Sequence, residues 1–321
     1  MITIFSSNSD NSTNNVIDWL YLNCHPYTRI NGDINKSWNS FTMSINSSKE
    51  EDSSLNIGQV WFRRLPQSLP KISFSEARGQ VNLGDQDRFN RYFHKEIESA
   101  RSGIISMIRN NCFCIGNPKV HNINKLETLI LATKCGFTIP STLVTEKKKE
   151  VLRFLMKKKR IVTKPSYEGI GFNIDNIPHM GYTEEITREH IDDFPEEFAL
   201  SCFQELIEKE IEIRTFYLDG ECYSMAIFSQ LDSQTNIDFR RYNTKRRNRN
   251  IPFQLPRDVE EKIKTLMQEI DLNCGSIDLI YSKNKKFIFL EINPVGQYGM
   301  TSHPCNYNLD KVIADKLAKG I

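Results

Sequence analysis

The chain has 321 residues, enough for two or three domains, and its 39% hydrophobic and 26% charged content is that of an ordinary globular protein. Lys and Arg number 42 against 40 Asp and Glu, and the net charge of +2 points to no polyanionic partner for the chain as a whole. No apolar run approaches the roughly 18 residues that cross a bilayer, so no membrane association is expected. The start, Met1-Ile2-Thr3-Ile4-Phe5, lacks the basic and long apolar regions of a signal peptide. The expectation is a cytoplasmic protein with reduced thiols. Its eight cysteines are scattered; only Cys112 and Cys114 are close, and one intervening residue is too short for a zinc knuckle.

In chain order, Ile2–Phe5 and Val60–Phe62 read as strands among polar loops, with Asn, Ser and Asp dominating 6–15 and 44–56. Residues 86–110 read as a helix with Phe89, Tyr92, Phe93, Ile97, Ile104, Ile105 and Ile108 on an apolar stripe. Asn124 is placed to cap a helix from Lys125 to about Cys135, burying Leu126, Leu129, Ile130 and Thr133, with Gly136 closing it. Thr145 is expected to cap the next helix, which carries Val151, Leu152 and Leu155, and the run Lys147–Lys149 reads as a solvated face. A strand over 160–164 leads into a loop holding Gly169 and Gly171. Strands are expected over 198–204, 210–217 and 221–229, the last two joined at Asp219-Gly220, a strong hairpin signal. Helices follow near 257–271 and at Leu309–Lys319. The reading is an α/β (α+β) fold in three parts: 1–115, 116–202 and 203–321.

The chemistry concentrates late in the chain. Gly275-Ser276-Ile277-Asp278-Leu279-Ile280 and Phe287-Ile288-Phe289-Leu290-Glu291-Ile292-Asn293 form a predicted strand pair. Glu291 and Asn293 are two apart and share a face, and Asp278 can meet them from the partner strand. Two carboxylates and an amide oxygen make a hard-oxygen site suited to Mg²⁺, which keeps several waters and leans on substrate phosphates; the alternative is a hairpin whose polar face meets water. Lys164 ends a strand before the glycine loop and could meet a phosphate, although many strand-terminal lysines are merely exposed. Neither a Walker loop nor a Gly-x-Gly-x-x-Gly turn is present. Lys125 at a helix start opposes the helix dipole, a local cost of a few tenths of a kcal/mol that is compatible with a phosphate contact. Glu212 and Arg214 share a strand face, as a surface pair or as a ribose and phosphate pair. Six cations in 240–250 (Arg240, Arg241, Lys245, Arg246, Arg247 and Arg249) suit an anionic substrate, a nucleic acid or a solvated loop. His303 could line the same cleft, but without an acid partner or a serine elbow it reads as a structural loop histidine.

The order of these features resembles the ATP-grasp superfamily, in the branch of the ribosomal-protein glutamate ligase, over about 116–316. It runs Lys125, Lys164, Gln204-Glu205-Leu206-Ile207, Glu212-Ile213-Arg214, Phe239-Arg240, Asp278 and Glu291-Ile292-Asn293-Pro294. The N-terminal third resembles the α/β domain that precedes this fold. Phe-Arg-Arg-Tyr at 239–242, Glu-Ile-Asn-Pro-Val-Gly-Gln-Tyr-Gly at 291–299 and Trp61-Phe62-Arg63-Arg64 are similar to the microviridin-type peptide maturases, the graspetide ligases, near their grasp-with-spasm branch.

The resemblance implies that Lys125 and Lys164 contact ATP phosphates, that Glu205 and Leu206 form the adenine hinge through backbone groups, and that Glu212 holds the ribose. It implies Asp278, Glu291 and Asn293 as ligands of Mg²⁺, as two ions, with Arg214 and Arg240 steadying the transferred phosphate and the acyl phosphate. The implied activity is ADP-forming carboxylate activation on a leader-guided precursor peptide, closing side-chain macrocycles with Ser/Thr as ω-esters. Other readings are ω-amide closure with Lys, a ligase of the glutamate-ligase type acting on another protein or a metabolite, and a nucleic-acid-binding protein using 240–250; the family favours no nucleic acid. Relatives often dimerise, which leaves a homodimer as an open expectation.

Overall fold

Five consecutive buried residues form the first strand, β1 (Ile2–Ser6). The computed structural model describes residues 1–32, 58–64, 83–167, 171–174, 177–180, 183–232, 234–241 and 243–320. The chain divides into two compact units, Met1–His121 with Asn308–Ile321, and Asn122–Tyr307.

In the first unit β1 is followed by α1 (Asn11–Leu22), β2 (Tyr27–Asn31), β3 (Gln59–Phe62), α2 (Leu83–Asn111) and β4 (Phe113–Ile115). The strands form a parallel sheet in the order β2-β1-β3-β4. The polar stretch expected as a loop over 6–15 instead begins α1. Asp10 caps it by accepting from the Thr13 N–H, and Thr13, Val16 and Leu20 repeat at helical spacing and are buried. On α2 only the C-terminal part of the expected stripe is core: Ile104, Ile105 and Ile108 pack with Phe5, Val60 and Phe62, whereas Phe89 and Tyr92 are exposed. The C-terminal helix, Leu309–Lys319, also lies in this unit, burying Leu309, Ile313 and Leu317.

The second unit opens with α3 (Lys125–Lys134), β5 (Thr142–Lys147), α4 (Lys148–Lys158), β6 (Ile161–Thr163), the antiparallel hairpin β7 (Gly171–Ile174) and β8 (Ile177–Met180), β9 (Glu184–Ile186), α5 (Arg188–Asp192) and β10 (Glu197–Glu205). Its first sheet has the order β5-β10-β6-β9 and is antiparallel. Asn124 caps α3 through the Leu126 and Glu127 N–H groups, at 2.9 and 3.3 Å. The buried face of α3 is Thr128, Leu129 and Ala132, and Ile130, one residue on from Leu129 and so turned away from it, is exposed. Thr145 does not cap α4. It lies within β5, paired with Ser201, and its hydroxyl accepts from the Lys147 N–H. Lys148 is not solvated either, since it donates to the Asp192 and Phe194 carbonyls at 2.8 and 3.0 Å. Gly171 starts β7, and Gly169 lies outside the described residues.

β11 (Lys209–Leu218), β12 (Glu221–Phe228), β13 (Arg249–Phe253), α6 (Arg257–Glu269), β14 (Cys274–Ser282), β15 (Phe287–Asn293) and α7 (Gly299–Cys305) complete the unit. The second sheet, β13-β12-β11-β14-β15, is antiparallel throughout. The turn between β11 and β12 holds Asp219 and Gly220 at φ 50° and 92°, the left-handed pair a tight hairpin needs. β11 lies mid-sheet and is buried along nearly all its length, so its charged residues must be paired. Among the described residues no helix is long and apolar enough to cross a membrane.

Candidate active site

The register of β11, β14 and β15 sets Arg214, Asp278 and Glu291 in one row across three strands. Alternation puts Glu212 on the same face of β11 as Arg214, and Asn293 on the same face of β15 as Glu291. Beyond Asp278 the register slips, so that Leu279 faces Phe289 and Leu290 is an extra residue on β15. Bulges of this kind bend a strand and re-aim its side chains. Leu290 joins the lining of a cleft that also takes in Lys164, Glu205, Leu206, Glu212, Arg240, Asp278 and Glu291.

Cations crowd the two carboxylates of the row. Arg214 Nη1 donates to both oxygens of Asp278 at 2.9 Å. Lys125 Nζ lies 3.3 Å from Glu291 Oε2, and Arg240 Nη1 lies 3.8 Å from Glu291 Oε1. Burial by itself would raise the Glu291 carboxyl, but Lys125, Lys164 and Arg240 together outweigh it and hold it below the usual range. At Asp278 burial prevails, and repulsion from Glu291 adds to it against the pull of Arg214, so its carboxyl is raised. Burial also lowers the Lys164 ammonium, with Glu291 opposing. Asn293, half-buried, faces Ser276 at the end of the same strand and is not part of the cleft lining.

Arg240 is held from behind by Asp238. Its Nε and Nη2 donate to the two Asp238 oxygens at 2.8 and 2.7 Å, and its backbone N–H donates to Oδ1 at 3.0 Å. The Thr183 N–H meets Oδ2 at 3.3 Å. Burial would raise Asp238, but Arg240 and these amides keep it low.

Val162, Leu206, Ile207 and Leu290 add apolar walls to the cleft, suited to a flat ring. The Glu205 and Leu206 N–H groups are engaged by the Ser141 and Arg160 carbonyls at 2.9 and 3.0 Å. The Ile207 N–H has no partner among the described residues. The Glu205 side chain is turned to Lys158, at 3.1 Å. Glu212 is buried, and its Oε1 accepts from Lys209 Nζ at 2.8 Å and from Ser229 Oγ at 2.6 Å. Burial raises its carboxyl, with Lys209 opposing.

Sequence reasoning gave Ile207 no role of its own and passed over Lys209, Ser229 and Asp238. Asp238 stood two residues before Arg240 and was legible as a same-side partner. Lys209 stands three before Glu212, an odd spacing that puts it on the opposite face of a regular strand. A register shift between Lys209 and Ile211 removes that obstacle.

His303 is exposed on α7 and does not line the cleft, which fits its reading as a structural histidine, although it stands on a helix and not in a loop. The basic run does not act as one patch: Arg240 enters the cleft, Arg241 pairs with Glu184 at 2.5 Å, and Arg249 stacks over Phe228 at 5.7 Å.

The donor set Asp278, Glu291 and Asn293 is all oxygen, as a hard divalent cation requires. Among the described residues no group of three or more His, Cys, Asp or Glu is placed to hold a metal, so an ion at this row would need further ligands from the amide, water or a bound phosphate. Four cations stand against three carboxylates, Asp278, Glu291 and Asp238, and leave positive charge for a polyphosphate.

No protein-family model matches the chain, and no curated protein does either. Solved structures do, over its full length. A RiPP-associated ATP-grasp ligase of Chryseobacterium gregarium, in complex with ADP and a leader and core peptide, is 24% identical with a TM-score of 0.78, covering 100% of this chain and 97% of that one. Macrocyclase MdnC of Microcystis aeruginosa MRC, bound with precursor peptide MdnA, is 23% identical with a TM-score of 0.74, covering 100% of both chains. ATP-grasp ligase PsnB, complexed with minimal precursor, Mg and ADP, is 16% identical with a TM-score of 0.73, covering 99% of this chain and 96% of that one. This likeness establishes the fold as ATP-grasp, with an α/β domain at its N-terminus, as the sequence motifs led one to expect.

Proposed function

We propose that the chain is an ADP-forming, ATP-dependent ligase that activates Asp or Glu side chains of a ribosomal precursor peptide and closes them onto Ser or Thr as ω-ester macrocycles. The observation that carries this reading is the convergence of Lys125, Lys164, Arg214 and Arg240 on the Asp278–Glu291 row, in a cleft that also offers apolar walls and the ribose acceptor Glu212. Solved structures of the same fold hold ADP, and peptides named as leader, core or precursor. We place its work in the cytoplasm, where nucleotide and peptide meet.

The adenine lies between Val162, Leu206 and Leu290, read by backbone groups at 206–207, and the ribose meets Glu212. Lys125 and Lys164 face the phosphates. A peptide carboxylate attacks the γ-phosphorus, ADP leaves, and an acyl phosphate forms on the peptide. Arg214 and Arg240 draw off the charge that develops on the transferred oxygens. A Ser or Thr hydroxyl of the same peptide then attacks the acyl carbon, and the ester forms as inorganic phosphate leaves and the hydroxyl proton is lost. Asp278, Glu291 and Asn293 would hold Mg²⁺, as two ions, which when bound supply Lewis-acid neutralisation of phosphate oxygens. Water must be excluded while the acyl phosphate lives. The exposed cations Lys245, Arg246 and Arg247 suit the acidic residues of the core peptide.

The test is mass spectrometry of the short peptide encoded beside the gene, co-expressed with the native chain or with Glu291→Gln. The native chain is expected to remove one water per ring and the variant none. ATP turnover by the native chain with no loss of water would sink the macrocyclase reading and keep the ligase class.

A further inference from the structure

Glu212 binds both of its described partners through one oxygen. Lys209 Nζ and Ser229 Oγ meet Oε1 at 2.8 and 2.6 Å, while Oε2 has no partner among the described residues, and the side chain lines the cleft. Lys209 is itself anchored by donating to the Ile237 carbonyl at 2.9 Å. Both members of the ion pair are almost fully buried, their side chains 6% and 8% exposed. Swinging the carboxylate out of this position would break two charge-assisted bonds.

We propose that Lys209 and Ser229 are positioning residues that pin Glu212 with its second oxygen aimed into the cleft, and so make the site select ribonucleotides over deoxyribonucleotides. This deepens the nucleotide reading above and rests on it. A buried acceptor held towards a sugar hydroxyl rejects an analogue lacking that hydroxyl, because the acceptor is then left unpaired. A carboxylate free to rotate or to withdraw loses that discrimination. The shift in β11 between Lys209 and Ile211 is what brings the lysine to the glutamate's side of the strand.

The test is calorimetric titration of the full chain, in Mg²⁺, with ADP, 2′-deoxy-ADP and 3′-deoxy-ADP. The native chain should bind ADP at least roughly tenfold more tightly than one of the deoxy forms. In Lys209→Met, ADP should weaken to near the value of that deoxy form, whose own affinity changes little. Ser229→Ala should move the ratio the same way by less, and it decides the matter alone should Lys209→Met fail to fold. A folded variant that keeps the native ratio overturns the proposal, as does a native chain indifferent to both hydroxyls. A native chain that binds no ADP refutes the nucleotide reading itself.

Discussion

Arg240 illustrates how one side chain at this site depends on another. It is 43% exposed, yet the Nε and Nη2 edge of its guanidinium is fixed by a carboxylate that is only 4% exposed. A long side chain at a surface loses that definition readily, and an ångström of misplacement at a reacting centre has a large effect on rate. Asp238→Asn, which keeps one acceptor and removes the charge, is therefore expected to lower turnover roughly tenfold to a hundredfold. ADP affinity should stay within about twofold of the native value, since Asp238 faces Arg240 rather than the nucleotide end of the cleft. Steady-state kinetics set beside ADP titration checks this; an equal loss in both would mean that the cleft as a whole had collapsed. At this scale the sequence was informative about residue types. Lys125, Glu212, Arg214, Asp278 and Glu291 are charged residues in or beside apolar runs, which is legible as a string. Their partners were not: Arg214 to Asp278 spans 64 residues, and only strand pairing joins them.

Elements carry these residues into place, and their local chemistry is testable separately from the site. α3 presents Lys125 at its first turn, and Asn124 satisfies two of the N–H groups that a helix start leaves open. Asn124→Ala should cost about 1 kcal/mol of stability by urea denaturation, while Asn124→Asp should keep most of it, because either side chain can accept from the same amides. If Ala and Asp behave alike, the cap contributes nothing. The Asn124 cap and the Asp219-Gly220 hairpin were visible in the sequence, because each depends on neighbours within one or two turns. The errors arose where a tertiary partner overrode a local preference. Thr145, a good cap, is also β-branched and is taken up by pairing with β10. Asp10 and its polar neighbours looked like loop, yet Val16 and Leu20 are buried on a helix that Asp10 caps.

For the molecule as a whole, the near balance of charge hides a buried arrangement that sets its acid sensitivity. Asp10, 3% exposed, meets Arg63 at 3.1 Å and Arg64 at 2.9 Å, joining the start of α1 to the end of β3. Burial would raise its carboxyl, but the two arginines and the Thr13 amide together bring it below the ordinary 3.8. A folded-state value below the unfolded one means that the stabilisation is complete above the ordinary range and is lost as pH falls through the depressed value. Asp10→Ala should therefore cost roughly 3 kcal/mol near neutrality, by removing the buried carboxylate that Arg63 and Arg64 share. The gap between native and variant should narrow on acidification below about pH 4. All three tryptophans, Trp19, Trp38 and Trp61, lie in the first 121 residues, so tryptophan fluorescence during urea denaturation reads the unit concerned. A gap that stays constant with pH would assign the loss to packing alone. By itself the sequence determined the α/β class, the order of the ATP-grasp motifs and the hard-oxygen character of the Asp278, Glu291 and Asn293 set. These are properties of residue type and short-range periodicity. The tertiary structure alone decided that the C-terminal helix packs in the first unit, that Lys209 stands beside Glu212, and that Leu290 enters the cleft. An apolar stripe states that a face will be buried without naming what covers it, and a one-residue shift in strand register moves a side chain to the other face without leaving a mark on the period of the sequence.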